Sequence, residues 1–386
     1  MFTVLLFLLV LSVLVIAHES GHYFAARLCG VKAEEFGFGF PPRLIGFVRE
    51  NGKWKRVSSK SEQTYPTTIW SINWLPLGGF VRMKGEEGHP GDKDAFASKS
   101  IIARIFILSA GVLMNWLVAS LIFGVGFLVG VPTDLEGVPP SARIQDQRTE
   151  IIQIVSGSAA ADAGLVTGDR ILTINDQPVV DAQGALTQFQ QVSASSQPFP
   201  LKVAHDGVER TVQITPKYLP ELKRPAVGVS LSTVGKVSFP WYQAFPQGVT
   251  LTFQYTKLIL SAFGGLVKSL FVDRHVPADV SGPVGIAVMT GKVAALGWWP
   301  LLQFAAMLSI NLAVVNFLPI PALDGGRVLF VLIETFRRKR IRPEWEASIH
   351  RVGFVLLLTL VVLVTLHDVL RYGGGIWHGL KNVVGL

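Results

Sequence analysis

From Ile105 to Val131 the chain carries no charged side chain, and the same holds from Met1 to Ala17. Such runs leave few folds open, because in lipid every backbone polar group must be bonded internally, which only helices and closed barrels achieve. The run beginning at Ile105 is long enough to cross a hydrocarbon core of about 30 Å with some tilt. Two more runs lie near the C-terminus. Trp298 to Leu318 is apolar apart from Gln303, Ser309, Asn311 and Asn316, and Val352 to Leu366 continues to Leu370 between Arg351 and Arg371. The N-terminal run lacks the basic residues that precede a signal-peptide core. It passes into His18-Glu19-Ser20-Gly21-His22 rather than a cleavage site, so it reads as a span. The expected fold is a polytopic α-helical membrane protein with about four transmembrane helices.

Hydrophobic residues make up 49% of the chain and charged residues only 16%, which points to lipid as the solvent and partner. The net charge of +8 comes from basic residues beside apolar stretches, not from a stripe interleaved with aromatics, so no nucleic-acid partner is expected. Arg337, Arg338, Lys339, Arg340, Arg342 and Arg351 crowd one short loop, which the positive-inside rule places in the cytoplasm. Alternation then puts 27–102 inside and 132–297 outside. The single cysteine, Cys29, excludes an intramolecular disulfide and a cysteine metal cluster, so any metal must be held by His and carboxylates.

Four regions follow: 1–132, 133–232, 233–297 and 298–386. Between Glu35 and Gly85, aromatic, glycine and β-branched residues predict membrane-associated β-hairpins with aromatic tips. Thr133 to Leu231 has soluble composition and short alternating strands, such as Ile151 to Val155 and Arg170 to Ile174, and reads as an inserted α+β domain. Phe239 to Phe271 is apolar but punctuated by Gln243, Gln247, Gln254, Lys257 and Lys268. Pro246 and Gly248 suggest an amphipathic pair of helices in the interface, with a fifth span as the alternative.

His18-Glu19-Ser20-Gly21-His22 sets two imidazoles four residues apart on one helix face, where both can grip one zinc ion, with Glu19 placed to work on water at the metal. Charged groups inside a span are costly and functional by default. The other reading is two interfacial histidines with an incidental glutamate. A third ligand is needed, and Asp324 is the only acid between Asp279 and Glu334. Pro319 and Pro321 break the helix before it and Gly325-Gly326 free the backbone after it, so a carboxylate can turn inward. By itself Asp324 would read as a turn or capping residue. Asn316 could hydrogen-bond the substrate backbone or an oxyanion. Asn115 reads as an interhelical hydrogen-bonding residue, and His89, His205, His275, His350, His367 and His378 as surface or interface residues.

These motifs, with Ser281-Gly282-Pro283-Val284-Gly285-Ile286 and Pro76-Leu77-Gly78-Gly79-Phe80-Val81, resemble the site-2 protease family, specifically the bacterial regulator-of-sigma-E protease group. The resemblance spans nearly the whole chain. It implies an intramembrane metalloendopeptidase with one zinc ion per chain, bound by His18, His22 and Asp324, and with Glu19 as catalytic base. It places Asn316 and Pro319 in the substrate cleft, and Gly37 and Gly39 in a membrane-associated loop that contacts substrate. Residues such as Gly157-Ser158-Ala159-Ala160 and Gly168-Asp169-Arg170-Ile171 resemble a circularly permuted bacterial PDZ domain, which would lie on the extracytoplasmic side of a bacterial cytoplasmic (inner) membrane. The implied substrates are single-pass transmembrane proteins of the anti-sigma-factor kind, cut after an upstream site-1-type protease has removed their external part.

Two rivals are a membrane-anchored PDZ scaffold that has lost catalysis and a zinc protease acting on soluble peptides. A scaffold has no need of Glu19, both histidines and Asp324 together. A soluble substrate does not suit a motif at the end of a span. Because a helix hides its peptide bonds, substrate is expected to bind as an added strand between Phe36 and Val81, with Ile69 to Trp74 offering its backbone. The PDZ-like domain is expected to act either as a size gate or as a binder of newly exposed C-termini.

Overall fold

A computed structural model describes residues 2–59, 63, 65–86, 92–205, 207–219, 223–269, 272, 282–339 and 341–384. Ser281, His89, His275 and Phe271 lie outside the described residues. The chain divides into two compact units, one of Met1–Phe123 with Gly248–Leu386 and one of Gly124–Gln247.

The first unit begins with α1 (Phe2–Leu28), then β1 (Ala33–Glu50), β2 (Lys53–Val57), β3 (Ile69–Met83) and α2 (Ile101–Val129). The second holds β4 (Val131–Asp134), β5 (Arg143–Ile154), α3 (Ala159–Asp162), β6 (Arg170–Ile174), β7 (Gln177–Pro178) and α4 (Ala182–Ala194). It continues through β8 (Phe199–His205), β9 (Val208–Ile214), β10 (Lys217–Leu219), β11 (Arg224–Ala226) and β12 (Val229–Ser238). Next come α5 (Trp241–Lys268), α6 (Pro283–Ala295), α7 (Trp298–Phe317), α8 (Asp324–Arg337) and α9 (Pro343–Val384). Four helical stretches are long and apolar enough to cross a membrane: Thr3–Leu28, Ile101–Val129, Trp298–Phe317 and Glu344–Arg371. The chain is thus a multi-pass helical membrane protein. The segment around Pro246 and Gly248 differs from expectation. It forms one continuous helix, α5, not a pair, with Pro246 in its second turn, close to the start, where few backbone bonds are lost.

In the first unit, β1 and β3 both bend, and their arms interleave. Residues 33–38 of β1 pair on one side with 79–83 of β3 and on the other with 69–72; 43–47 of β1 then pair with 70–73, and β2 pairs with 46–50. The bends fall at Gly39 and Gly78, both with positive φ, a conformation glycine adopts without penalty. This corrects the expectation that Ile69 to Trp74 offers its backbone. Most of that stretch lies between two arms of β1, and the edge arm beside α1 is 79–83. Trp54, Trp70, Trp74, Phe40 and Leu75 are exposed, as aromatic and aliphatic tips that enter lipid would be. Within the sheet Glu35 is buried beneath Arg43 and Arg82. Burial alone would raise its pKa, but the hydrogen-bonded Arg43 and the nearby Arg82 guanidinium hold the carboxyl below the usual carboxylate range.

The second unit is a sheet in the order β4-β12-β5-β6-β8-β9, with β7 on β6. Its core, which includes Ile151, Leu165, Ile171, Ile174, Phe189, Leu201, Val203 and Ile214, packs α4 on the sheet. The unit is wider than 133–232 because β4, which begins at Val131, pairs with β12 as far as Val237.

Candidate metal centre

The apolar run of α1 gives way to His18, Glu19 and His22 inside the stretch that qualifies as a span, and the backbone of α2 approaches that helix closely at Gly21. A Cβ on Gly21 would lie 2.3 Å from the Ala110 carbonyl oxygen. A Cβ on Gly111 would lie 2.3 Å from His22 Nε2 and 2.7 Å from His18 Nε2. Two glycines therefore let the helices close around the imidazoles, the small-residue packing by which membrane helices associate.

The third group arrives from the turn between α7 and α8. Leu318, held extended by the proline that follows it, ends α7, and Asp324 opens α8. The turn is folded so tightly that Cβ atoms on Gly325 and Gly326 would meet the carbonyl oxygens of Leu318 and Ile320 at 2.3 Å. Asp324 Oδ2 comes to 3.0 Å from His18 Nε2 and 3.3 Å from His22 Nε2, and the two Nε2 atoms are 3.2 Å apart. A tetrahedron with metal–ligand bonds of about 2.0–2.1 Å has edges of about 3.3 Å, so this triangle has the dimensions of one face of a zinc site. Among the described residues, His18, His22 and Asp324 are the one group of this kind.

The partners behind the histidines support the same reading. His22 Nδ1–H donates to the Ile107 carbonyl at 2.8 Å, which leaves the Nε2 lone pair facing the triangle. The Asn115 amide lies 3.3 Å from His18 Nδ1, and its oxygen is buried without a partner. Amide oxygen and nitrogen have the same shape, and with the oxygen turned toward His18 it accepts from Nδ1–H. His18 Nε2 is then also free for metal. Asn115 ties helices together as expected: its side chain on α2 meets His18 of α1, and its backbone carbonyl accepts from Ser309 of α7 at 2.8 Å.

Of the residues expected to meet substrate, Asn316 approaches the triangle, with its amide nitrogen 3.5 Å from His18 Nε2. Gly37 is one strand away from Glu19. Between them stands Gly79, whose added Cβ would lie 3.1 Å from the Gly37 carbonyl oxygen and 3.3 Å from Glu19 Cγ. Gly39 lies at the bend of β1, where its carbonyl accepts from Asn73 at 2.9 Å. Pro319 is exposed in the turn after α7 and is not part of the triangle. Gly111 is not singled out by the sequence, and Gly79 only as part of the Pro76 to Val81 motif. The available signal was Gly111-x-x-x-Asn115, a small residue one turn before a polar one inside an apolar span. Two ion pairs hold α8 below the site: Arg327 with Glu86, and Glu334 with Arg104 at 2.8 Å.

The pattern that defines peptidase family M50 matches residues 6–360. A Clostridium perfringens protein named as a candidate zinc metalloprotease is 32% identical over 94% of this chain and 97% of its own length. The zinc metalloprotease RasP of Geobacillus kaustophilus is 28% identical over 96% of this chain and 98% of its own. The regulator of sigma-W protease RasP of Bacillus subtilis is 29% identical, again over 96% and 98%.

Proposed function

The chain belongs to peptidase family M50, the site-2 protease family, and is a zinc metalloprotease; from that premise we propose that it hydrolyses peptide bonds within or near the transmembrane segments of single-pass membrane proteins. The observation that carries this is the triangle of His18, His22 and Asp324 with Glu19 beside it, on a helix that qualifies as a span. A substrate reaches such a place most directly through the bilayer.

In this reading His18, His22 and Asp324 hold one zinc ion per chain, which when bound polarises the scissile carbonyl and acidifies water. Glu19 takes the proton of the attacking water and passes it to the leaving amine, the role its place next to His18 allows. Asn316 donates its amide to the carbonyl oxygen as negative charge develops there. The arm 79–83 is an edge that no other strand covers on its outer side among the described residues, and Gly79 approaches Glu19. A substrate span added to that edge is extended, so its peptide bond is open to attack; Gly39 and Gly78 let the sheet bend there, and Gly37 leaves room for the Phe80 ring. Helix-breaking residues in the substrate span are therefore expected to speed cleavage by purified enzyme in lipid. If stiff leucine-rich spans are cut as fast as those containing Gly or Pro, the strand reading fails.

The name of the Bacillus subtilis relative ties that protein to sigma-W regulation, which supports a substrate of the anti-sigma-factor kind here, trimmed first by a site-1-type protease. The apolar helical spans support a cytoplasmic (inner) membrane location, and the positive-inside rule supports the second unit lying outside as a PDZ-like domain. As a bulky domain it would act as a gate that excludes untrimmed substrates. A groove of about 750 Å³ between α4 and the start of β12, lined by Leu186, Phe189 and Val227 to Val229, favours capture of an extended peptide as a second reading. Replacing 131–238 by a flexible linker separates the two. A gate predicts that untrimmed substrate becomes cleavable and trimmed substrate is still cut; capture predicts that trimmed substrate is lost and untrimmed stays resistant. Continued rejection of untrimmed substrate by the zinc-loaded deletion variant would end the gate reading.

A further inference from the structure

The turn that delivers Asp324 is cradled by α9, and this contact falls on a histidine that the sequence alone marks as an interface residue. Ala322 lies two residues before Asp324 and has φ of 79°, a left-handed conformation that disfavours a residue with a Cβ. Its N–H donates to His350 Nδ1 at 2.8 Å, so that nitrogen must be the acceptor and the ring is neutral with its proton on Nε2. Nε2 is buried and has no hydrogen-bond partner. A leucine would fill a similar volume without burying that N–H, so packing alone does not account for an imidazole at this place. One turn further along α9, Gly353 faces the same turn. A Cβ there would lie 2.5 Å from Pro321 Cβ and 2.6 Å from its carbonyl oxygen. The other side of the His350 ring meets Phe330 of α8, with centroids 5.3 Å apart. His350 thus touches both the turn before Asp324 and the helix that Asp324 opens.

We infer that His350 is a positioning residue for the metal centre: by accepting from Ala322 N–H it holds the strained turn that sets where the Asp324 carboxylate lies. This rests on Asp324 being a zinc ligand. The fourth span thereby bears on a site whose ligands come from α1 and α8, and a shift of α9 against the turn would move one ligand out of three.

The test is zinc affinity, measured on the purified full chain in lipid by competition with a chromophoric chelator, alongside thermal unfolding of the metal-free protein. His350→Leu removes the acceptor and is expected to weaken zinc binding about tenfold, as loss of outer-shell partners does, with little change in unfolding. His350→Asn keeps an acceptor atom the same number of bonds from the backbone and should stay within about twofold of the native affinity. Ala322→Gly removes the strain that His350 restrains, so the double variant Ala322→Gly with His350→Leu should recover most of the loss. A purely structural role would not give that rescue. Native affinity in His350→Leu, a loss in His350→Asn as large as in His350→Leu, or no recovery in the double variant would each overturn the inference. Should His350→Leu not fold, the double variant decides: folded and tight for zinc supports positioning, and unfolded or weak overturns it. Asp324→Ala is measured in parallel. If it binds zinc like the native chain, the ligand assignment falls and this inference with it; if it loses zinc while His350→Leu does not, only this inference falls.

Discussion

Glu19→Gln is expected to leave zinc binding intact while slowing peptide hydrolysis by about a thousandfold, within the range assigned to a positioned general base. Glu19 is not a member of the triangle, so the amide removes no ligand. It takes away only the group that can accept a proton from water beside the metal. Asp324→Ala has the opposite pattern. It leaves His18 and His22 as a two-nitrogen site, and zinc should be lost on dialysis together with turnover. Zinc per chain by elemental analysis, and cleavage of a lipid-reconstituted substrate, read the two effects separately. Full turnover in Asp324→Ala, or zinc loss in Glu19→Gln with the fold intact, would sink the assignment of these roles.

Gly111→Ala is expected to be nearly as damaging, although it adds one methyl group. That methyl would sit 2.3 Å from His22 Nε2 and 2.7 Å from His18 Nε2, where ordinary contacts begin near 3.4 Å. The imidazoles must retreat by about 1 Å from the points at which they face Asp324, and misplacement of that size costs on the order of a hundredfold in function. The effect is distinguishable from misfolding. Alanine in place of glycine inside a helix is stabilising by roughly 0.5–1 kcal/mol, so α2 itself should not be weakened. The expected result is a folded chain with lowered zinc occupancy and turnover lowered about a hundredfold or more. Native zinc content and turnover in Gly111→Ala would show that α2 lies further from the histidines than the geometry places it.

The parts of this site that could be read in the chain are those that depend on spacing along one helix. His18 and His22 share a face because a helix repeats every 3.6 residues, and no other element has to be known for that. Asp324 was legible as the one acid beside a proline-broken span end. The partners of Gly111, Asn115, Gly79 and His350 were not legible, since each lies far away in the chain: the imidazoles for Gly111 and Asn115, Glu19 for Gly79, the Pro321–Ala322 turn for His350. The β segment went wrong for a related reason. Composition marks residues 35–85 as strand, but only pairing tells an interior arm from an edge, and the bends at Gly39 and Gly78 fold 69–73 inside and leave 79–83 at the edge.

Sequence by itself determined that this chain crosses a membrane, where its spans run and which two imidazoles share a helix face at metal-ligand spacing, because lipid forces apolar runs into helices and a helix has one period. The tertiary structure decided how close α2 comes, which sheet edge faces Glu19, and what holds Asp324 in place. Those are contacts between elements distant in sequence, set by the absence of side chains at a few glycines and by one hydrogen bond from the fourth span, and no local pattern encodes a distance between two helices.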